Sequence, residues 1–187
     1  MKKWGYYFAC IGAMCAILLV VCWGNQAVSI LSESLSGKLR HCIIIDPGHG
    51  GEDGGASSCS GHLESGYNLE IALRLEDLLH LLGYDTKLIR REDVSVYTTG
   101  QTIAQKKVSD LKNRVKTINE TKNAVLLSIH QNYFTDSRYS GAQVFYGASD
   151  GSEALAKKLQ ASFVAALNPG SRRQAKQGKG IYLLEHV

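Results

Sequence analysis

The feature that most constrains the fold is a short apolar strand that runs directly into a glycine-rich loop. The stretch HCIIID (41–46) is apolar up to Asp46, which predicts a strand buried on both faces of a sheet. The sequence PGHGGEDGGA follows and places His49 among five glycines. Such a loop at the carboxyl end of a strand is consistent with a phosphate cradle, a metal site or a tight turn that contains a histidine.

The residues of this loop argue against a phosphate cradle. Asp53 stands where the third glycine of G-x-G-x-x-G belongs, and no lysine follows in the pattern of a P-loop. The carboxylates of Glu52 and Asp53 would also repel a phosphate group. A metal site and a simple turn remain as interpretations.

Apolar runs of strand type alternate with helical periodicity along the rest of the chain. Further strands are predicted at 84–90, 123–130 and 141–147. Helices are predicted at 67–83, 109–120 and 152–167. Ser109 is the expected N-cap of the second helix. The apolar positions that recur at helical spacing in the first helix are Leu69, Ala72, Leu75, Leu78, Leu79 and Leu82. This alternation predicts an α/β domain with a mostly parallel sheet.

The metal interpretation gains from a second histidine at a strand end. His130 is the last residue of one predicted strand, and His49 lies just after another. The carboxyl ends of parallel strands lie at one edge of the sheet, where ligands bind. Glu64 precedes the first helix and can reach back over this edge. Two histidines and one carboxylate are the ligand set of hydrolytic zinc sites, with His62 and Cys59 as nearby competitors. The competing interpretation is that the histidines are polar residues satisfied by hydrogen bonds and that Glu64 is solvated.

The N-terminus predicts a location outside the cytoplasm. Lys2 and Lys3 precede an apolar run over 6–24 that contains no charge, and the two lysines should stay on the cytoplasmic side. An uncleaved anchor is favoured over a cleaved signal. The predicted organisation is a transmembrane anchor or signal segment at 1–24, a serine-rich linker at 25–40 and the functional domain at 41–187.

Charge and cysteine content exclude some classes of function. A formal net charge of +4 without an aromatic and basic recognition motif gives no support for nucleic-acid binding. Cys10, Cys15 and Cys22 lie in the apolar N-terminal segment, which leaves Cys42 and Cys59 for the domain. Because the chain has no C-x-x-C pair, a thiolate zinc site is not expected. The sequence does not decide whether Cys42 and Cys59 form a disulfide.

Several of these motifs occur together in the order of a known family. From about Cys42 to the C-terminus, IDPGHGGEDGGA, GHLESGYNLEIA, LIRRED, DLKNRV and LLSIHQNYF…GAQVFY resemble the zinc-dependent N-acetylmuramoyl-L-alanine amidases of the amidase 3 family, most closely the CwlD type of spore-forming bacteria. The resemblance implies a twisted mixed, mostly parallel sheet of about six strands flanked by helices, as in zinc phosphorylase/carboxypeptidase-like hydrolases. It also implies one zinc ion held by His49, Glu64 and His130. The implied substrate is peptidoglycan, cut between N-acetylmuramic acid and L-alanine during cortex maturation in sporulation.

The resemblance also implies a general base that this sequence does not contain. In the family, this glutamate lies in an E-x-G-F-x-S-N motif, whereas the sequence stops at IYLLEHV. We therefore expect a C-terminally truncated chain, with its general base and last strand beyond residue 187 and with little or no activity. Glu185 and Glu52 are weak substitutes. A non-catalytic zinc-containing protein that binds or regulates peptidoglycan, and a zinc peptidase with another substrate, remain as alternatives.

Overall fold

The computed structural model describes residues 41–136 and 140–187. The predicted segments 1–24 and 25–40 lie outside these residues. Within the described parts of the chain, no helix combines the length and apolar character needed to cross a membrane. In chain order the elements are β1 (Cys42–Pro47), α1 (Glu64–Leu81), β2 (Asp85–Leu88), α2 (Ile103–Asn119), β3 (Ala124–Ile129), β4 (Phe145–Tyr146), α3 (Ser152–Leu167), β5 (Lys176–Gln177) and α4 (Tyr182–His186).

The central sheet is parallel and has the strand order β2-β1-β3. β1 pairs with β3 in unbroken register, so that Pro47 lies opposite Ile129. Ile44 and Ile45 are both fully buried, because β1 has a neighbouring strand on each side and is covered on both faces. The predicted α/β fold with a parallel sheet is therefore confirmed.

The core lies between this sheet and its helices. Ile44 of β1 packs with Ile118 of α2 and Leu183 of α4. The next residue, Ile45, points to the opposite face, because side chains alternate along a strand. Ala72 of α1 is also fully buried, and α1 contacts both β1 and β2.

Helix α1 begins at Glu64, three residues before the predicted start, and does not bury the apolar face that its periodicity suggests. Its buried residues are Glu64, Ser65, Asn68, Ala72 and Glu76. Leu78 and Leu82, two members of the predicted apolar set, are 58% and 70% exposed. The N-terminal half of α1 thus directs polar side chains inward, toward the edge of the sheet where the histidines lie.

The predicted N-cap of α2 is wrong. The helix begins at Ile103, and the side chain of Thr102 accepts a hydrogen bond from the backbone N–H of Gln105, whose own side chain accepts from Thr102 N–H. This reciprocal pair is a capping box. Ser109 lies inside the helix instead, where its hydroxyl accepts a hydrogen bond from the backbone N–H of Thr98.

The C-terminal part of the domain is less regular than predicted. The expected strand at 141–147 shortens to Phe145–Tyr146, whereas helix α3 occupies the predicted 152–167. β4 pairs in parallel with β5, which lies where no strand was predicted. These two strands form a separate small sheet.

The two cysteines of the domain are both free. Cys42 opens β1, whereas Cys59 lies in the loop beyond the other end of this strand. Cys42 and Cys59 therefore do not form a disulfide with each other.

Candidate metal centre

The pairing of β1 with β3 brings the two histidines together. Gly48 N–H donates to the carbonyl of Ile129 at 3.0 Å, which extends the parallel register by one residue beyond the strands. His49 and His130 follow directly. Their ring centroids are 5.0 Å apart and the ring planes meet at 79°. The two histidines therefore converge at one edge of the sheet, as expected from their positions at strand ends.

Glu64 lies between the two imidazole rings. Its Oε1 is 3.3 Å from His49 Nε2 and 2.9 Å from His130 Nδ1, and the residue is 7% exposed. Backbone N–H groups of Ala56 and Gln131 each donate to its carboxylate at 3.0 Å. Burial alone would raise the pKa of Glu64, but these hydrogen bonds hold the pKa below its ordinary value. The carboxylate is therefore ionised near neutral pH.

The three side chains fit a metal ion. Their ligand atoms all lie within 4.8 Å of one another. His49 Nδ1 is 3.0 Å from Asp53 Oδ2, so a neutral His49 that donates to Asp53 has its lone pair on Nε2. This lone pair then faces the Oε1 of Glu64, which is also an acceptor. A cation bound between the two atoms relieves this contact, and imidazole with carboxylate is a donor set suited to zinc.

A buried arginine fixes the backbone that carries His49. His49 adopts a φ of +62°, which is uncommon for a residue with a side chain. Arg114 Nη2 donates to the His49 carbonyl at 2.8 Å, while the same guanidinium pairs with Asp46 and Asp110. Burial would lower the pKa of Arg114, but these two carboxylates raise it, so the cation is retained. The ion pairs therefore fix the backbone orientation of His49.

The glycine-rich loop also caps the helix that begins with Glu64. The first amides of α1 need partners outside the helix. Glu64 N–H donates to the carbonyl of Ala56 at 2.8 Å, and Ser65 N–H donates to that of Gly54 at 3.0 Å. Gly55 has a φ of +70°, and a Cβ there would lie 2.7 Å from Glu64 Oε2. The loop can approach Glu64 this closely only because it carries glycine at this position.

The competing ligands named from the sequence do not join this group. The ring of His62 packs edge-on against Tyr67, with centroids 5.9 Å apart, and Cys59 is an exposed thiol. His80 is an exposed residue of α1, and its Nε2 lies 2.5 Å from the hydroxyl of Thr86.

The two glutamates considered as substitute bases are engaged elsewhere. Both carboxylate oxygens of Glu52 bind Lys106 Nζ, at 2.7 and 2.9 Å. Glu185 accepts a hydrogen bond from the backbone N–H of Gly180 at 2.6 Å. Neither carboxylate is therefore assigned a role as general base.

Three polar residues that support the site were not identified from the sequence. Asn68 is fully buried, and its amide donates to the Gly48 carbonyl at 3.2 Å and to Glu64 Oε1 at 3.3 Å. Its position one helical turn after Glu64 was a usable signal. Arg90 and Arg114 lie inside the motifs LIRRED and DLKNRV, but their burial could not be predicted, because a buried arginine cannot be distinguished from a solvated one by sequence alone.

Comparison with known proteins identifies the family of this chain. Residues 43–187 match the family model described as N-acetylmuramoyl-L-alanine amidase. The germination-specific N-acetylmuramoyl-L-alanine amidase of Bacillus subtilis (strain 168) is 38% identical over 165 residues, which are 87% of this chain and 68% of the relative. The probable cell wall amidase LytH of Staphylococcus epidermidis (strain ATCC 12228) is 32% identical over 80% of this chain, which spans 45% of that relative.

A solved structure has the same fold. The CwlD amidase from Clostridioides difficile, determined in complex with the GerS lipoprotein, superimposes with a TM-score of 0.74 at 35% sequence identity. The match covers 78% of this chain and 76% of the CwlD chain.

Proposed function

Because the chain belongs to the N-acetylmuramoyl-L-alanine amidase family, we propose that it hydrolyses the amide between N-acetylmuramic acid and L-alanine in peptidoglycan. The observation that carries this proposal is the convergence of His49, Glu64 and His130 at one edge of the parallel sheet. These residues belong to three separate segments and form a single cluster only through the fold.

We assign one zinc ion to this cluster, with His49, Glu64 and His130 as its ligands. A zinc ion held there supplies a water of lowered pKa, about 7, and a Lewis acid for the amide carbonyl. The chain contributes an ionised Glu64 and a His49 ring oriented by Asp53. The His130 side chain is 46% exposed, compared with 18% for His49, so the substrate approaches from the side of His130.

The proposed setting is outside the cytoplasm, with the N-terminal segment as a membrane anchor. Support comes from the uncharged apolar run that follows Lys2 and Lys3, and from the cell wall amidases among the relatives. A role in the spore cortex is supported by the name of the germination-specific relative. External protease added to intact cells should degrade the domain. If the domain is degraded only after lysis, this location is wrong.

The reaction is tested with the purified chain of residues 1–187 and isolated peptidoglycan. Because neither Glu52 nor Glu185 is assigned as a general base, the rate should be low, and mass spectrometry of the muropeptides measures the stem peptides released from muramic acid. Glu64→Gln should lower this rate by more than the roughly 10- to 100-fold typical of changes behind a metal ligand, because Glu64 is itself a proposed ligand. Glu70→Gln is the matched control, since Glu70 is an exposed residue of the same helix that pairs with Arg74. Unchanged muropeptides at full zinc occupancy would support a non-catalytic protein, and faster cleavage of a plain tripeptide would support a peptidase.

The metal assignment is tested separately by zinc content. The wild-type chain should bind one equivalent, whereas His49→Ala and His130→Ala should each lose it. His80→Ala is the matched control and should retain the metal, because this histidine contacts Thr86 rather than the cluster. If both site variants keep a full equivalent of zinc, the ligand assignment is wrong.

A further inference from the structure

Arg90 follows β2 and carries a guanidinium with 0% exposure of its side chain. Its nitrogens donate only to backbone carbonyls in the hydrogen bonds that the structure describes. Nε binds the carbonyl of Pro47 at 2.9 Å and Nη1 that of Glu92 at 2.9 Å. Nη2 binds two carbonyls, those of Gly48 at 3.0 Å and Ser65 at 2.8 Å.

A buried cation in these surroundings is costly to maintain. Asp93 lies 3.9 Å from Nη1, beyond hydrogen-bond distance, so the hydrogen bonds described for the guanidinium are all to carbonyl groups. Burial lowers the pKa of Arg90, and the neighbouring positive charge of Arg114 lowers it further. Apolar residues of similar volume often stabilise a protein as well as buried charges do. A role in stability alone is therefore a weak reason for an arginine here.

The segments joined by Arg90 are those that carry two of the proposed ligands. Gly48 immediately precedes His49, and Ser65 immediately follows Glu64. By donating to both carbonyls, Nη2 links the loop after β1 to the first turn of α1. It does so from a side chain that does not contact the imidazole or the carboxylate in any hydrogen bond described by the structure.

We propose that Arg90 is a positioning residue that holds His49 and Glu64 at ligand spacing before the metal binds. This inference rests on the proposed function. The planar guanidinium presents its donors in a fixed fork and reaches four carbonyls at once. A lysine at this position keeps the charge but has a single ammonium group, so it cannot span the same acceptors. Without this link, the two segments become ordered only when the ion binds, and the entropy lost in ordering them lowers the metal affinity.

The test uses Arg90→Lys and Arg90→Met in the chain of residues 1–187. The zinc dissociation constant is measured by chelator competition, and the visible spectrum is recorded after loading with cobalt. We expect zinc affinity to fall about 10- to 100-fold, which is typical when a residue that orients metal ligands is changed. We also expect the cobalt absorption bands to shift. The matched control is Arg91→Met. Arg91 is the next residue, and its 63% exposed side chain pairs with Glu76 away from the ligands. Its affinity and spectrum should match the wild type.

Each outcome decides the proposal. Wild-type affinity and an unchanged cobalt spectrum in Arg90→Lys would overturn it. Equal losses in the Arg90 variants and in Arg91→Met would also overturn it, because they would reflect a general loss of stability. If the Arg90 variants stay unfolded even with excess zinc, then Arg90 serves folding and the inference is wrong. If the wild-type chain itself binds no zinc, the proposed metal centre is wrong, and the role of Arg90 that rests on it is wrong as well.

Discussion

The two histidines at the edge of the sheet are held in different ways. His49 lies in a loop of unusual backbone conformation, with Asp53 on its ring and Arg114 on its carbonyl. His130 directly follows the regular strand β3, and the contact described for its ring nitrogen is with Glu64. The side chain of His49 is 18% exposed and that of His130 is 46% exposed. One ligand candidate is thus fixed from behind, whereas the other is open to solvent.

This difference separates a preorganised side of the site at His49 from an exposed side at His130. The His49 side is preorganised by charges and hydrogen bonds, so it sets the geometry in advance. The His130 side is the more exposed one. Rigid support on one side therefore coexists with access on the other.

The largest effect should come from removing each histidine in turn and then adding imidazole. His49→Ala and His130→Ala should both lose bound zinc. Millimolar imidazole should restore zinc binding to His130→Ala but not to His49→Ala, because only the site of His130 is half exposed. Zinc content after gel filtration in imidazole buffer measures this. Equal rescue of both variants would contradict the contrast between a buried and an open ligand.

A second large effect is expected at Gly48, which lies directly behind His130. A Cβ at Gly48 would lie 2.2 Å from His130 Cε1, so Gly48→Ala should displace the ring and weaken zinc binding about 100-fold. Gly66→Ala is the matched control, because nothing lies within 4 Å of its Cβ. Its helical position should make the alanine stabilising by up to about 1 kcal/mol. Chelator competition and thermal unfolding measure the two effects, and unaltered zinc affinity in Gly48→Ala would show that His130 can move without loss.

The convergence of the histidines followed from the sequence because it depends on strand ends. β1 and β3 are continuous apolar runs, and parallel strands place their carboxyl ends together. His49 and His130 could therefore be paired across many intervening residues. The α/β class followed from the same alternation of strands and helices.

The supporting interactions could not be predicted in the same way. Periodicity assumes that a helix buries its apolar stripe, yet α1 buries Glu76, which pairs with Arg91 at 2.5 Å, and exposes Leu78. The start of α2 was predictable in principle, since Thr102 and Gln105 have the spacing of a capping box. Ser109 was a second N-cap candidate and lay closer to the apolar residues of the helix. The local sequence pattern alone did not distinguish Ser109 from Thr102.

A smaller effect is expected from the carboxylate that orients the fixed histidine. Asp53→Asn should weaken zinc binding about 10-fold, because the amide binds His49 Nδ1 less strongly and no longer favours one ring orientation. Glu52→Gln is the matched control in the same loop, since it removes only the ion pair with Lys106. Chelator competition distinguishes the two. If both variants lose the same affinity, the loop as a whole matters, and the contact between Asp53 and His49 has no special role.

The smallest effect concerns the acid stability of the metal-free protein. Burial would raise the pKa of Asp53, but contact with His49 and the charge of Lys107 lower it, and the pKa of Glu64 is also lowered. A lowered folded-state pKa means that the unfolded chain takes up protons first as the pH falls. The stabilising contribution of both carboxylates is therefore complete above the ordinary carboxyl pKa of about 4, and it is lost as the pH falls through the lowered folded-state values.

Denaturant midpoints measured below about pH 5 test this expectation, because the slope of stability against pH reports the protons taken up on unfolding. Glu64→Gln and Asp53→Asn should each reduce the slope, and Glu70→Gln on the exposed face of α1 is the matched control. Both affected carboxylates contact His49, but only Glu64 is described in contact with His130. If Asp53→Asn leaves the slope unchanged, the carboxylate behind His49 contributes no stability, and the rigidity of that side must come from Arg114 and the backbone.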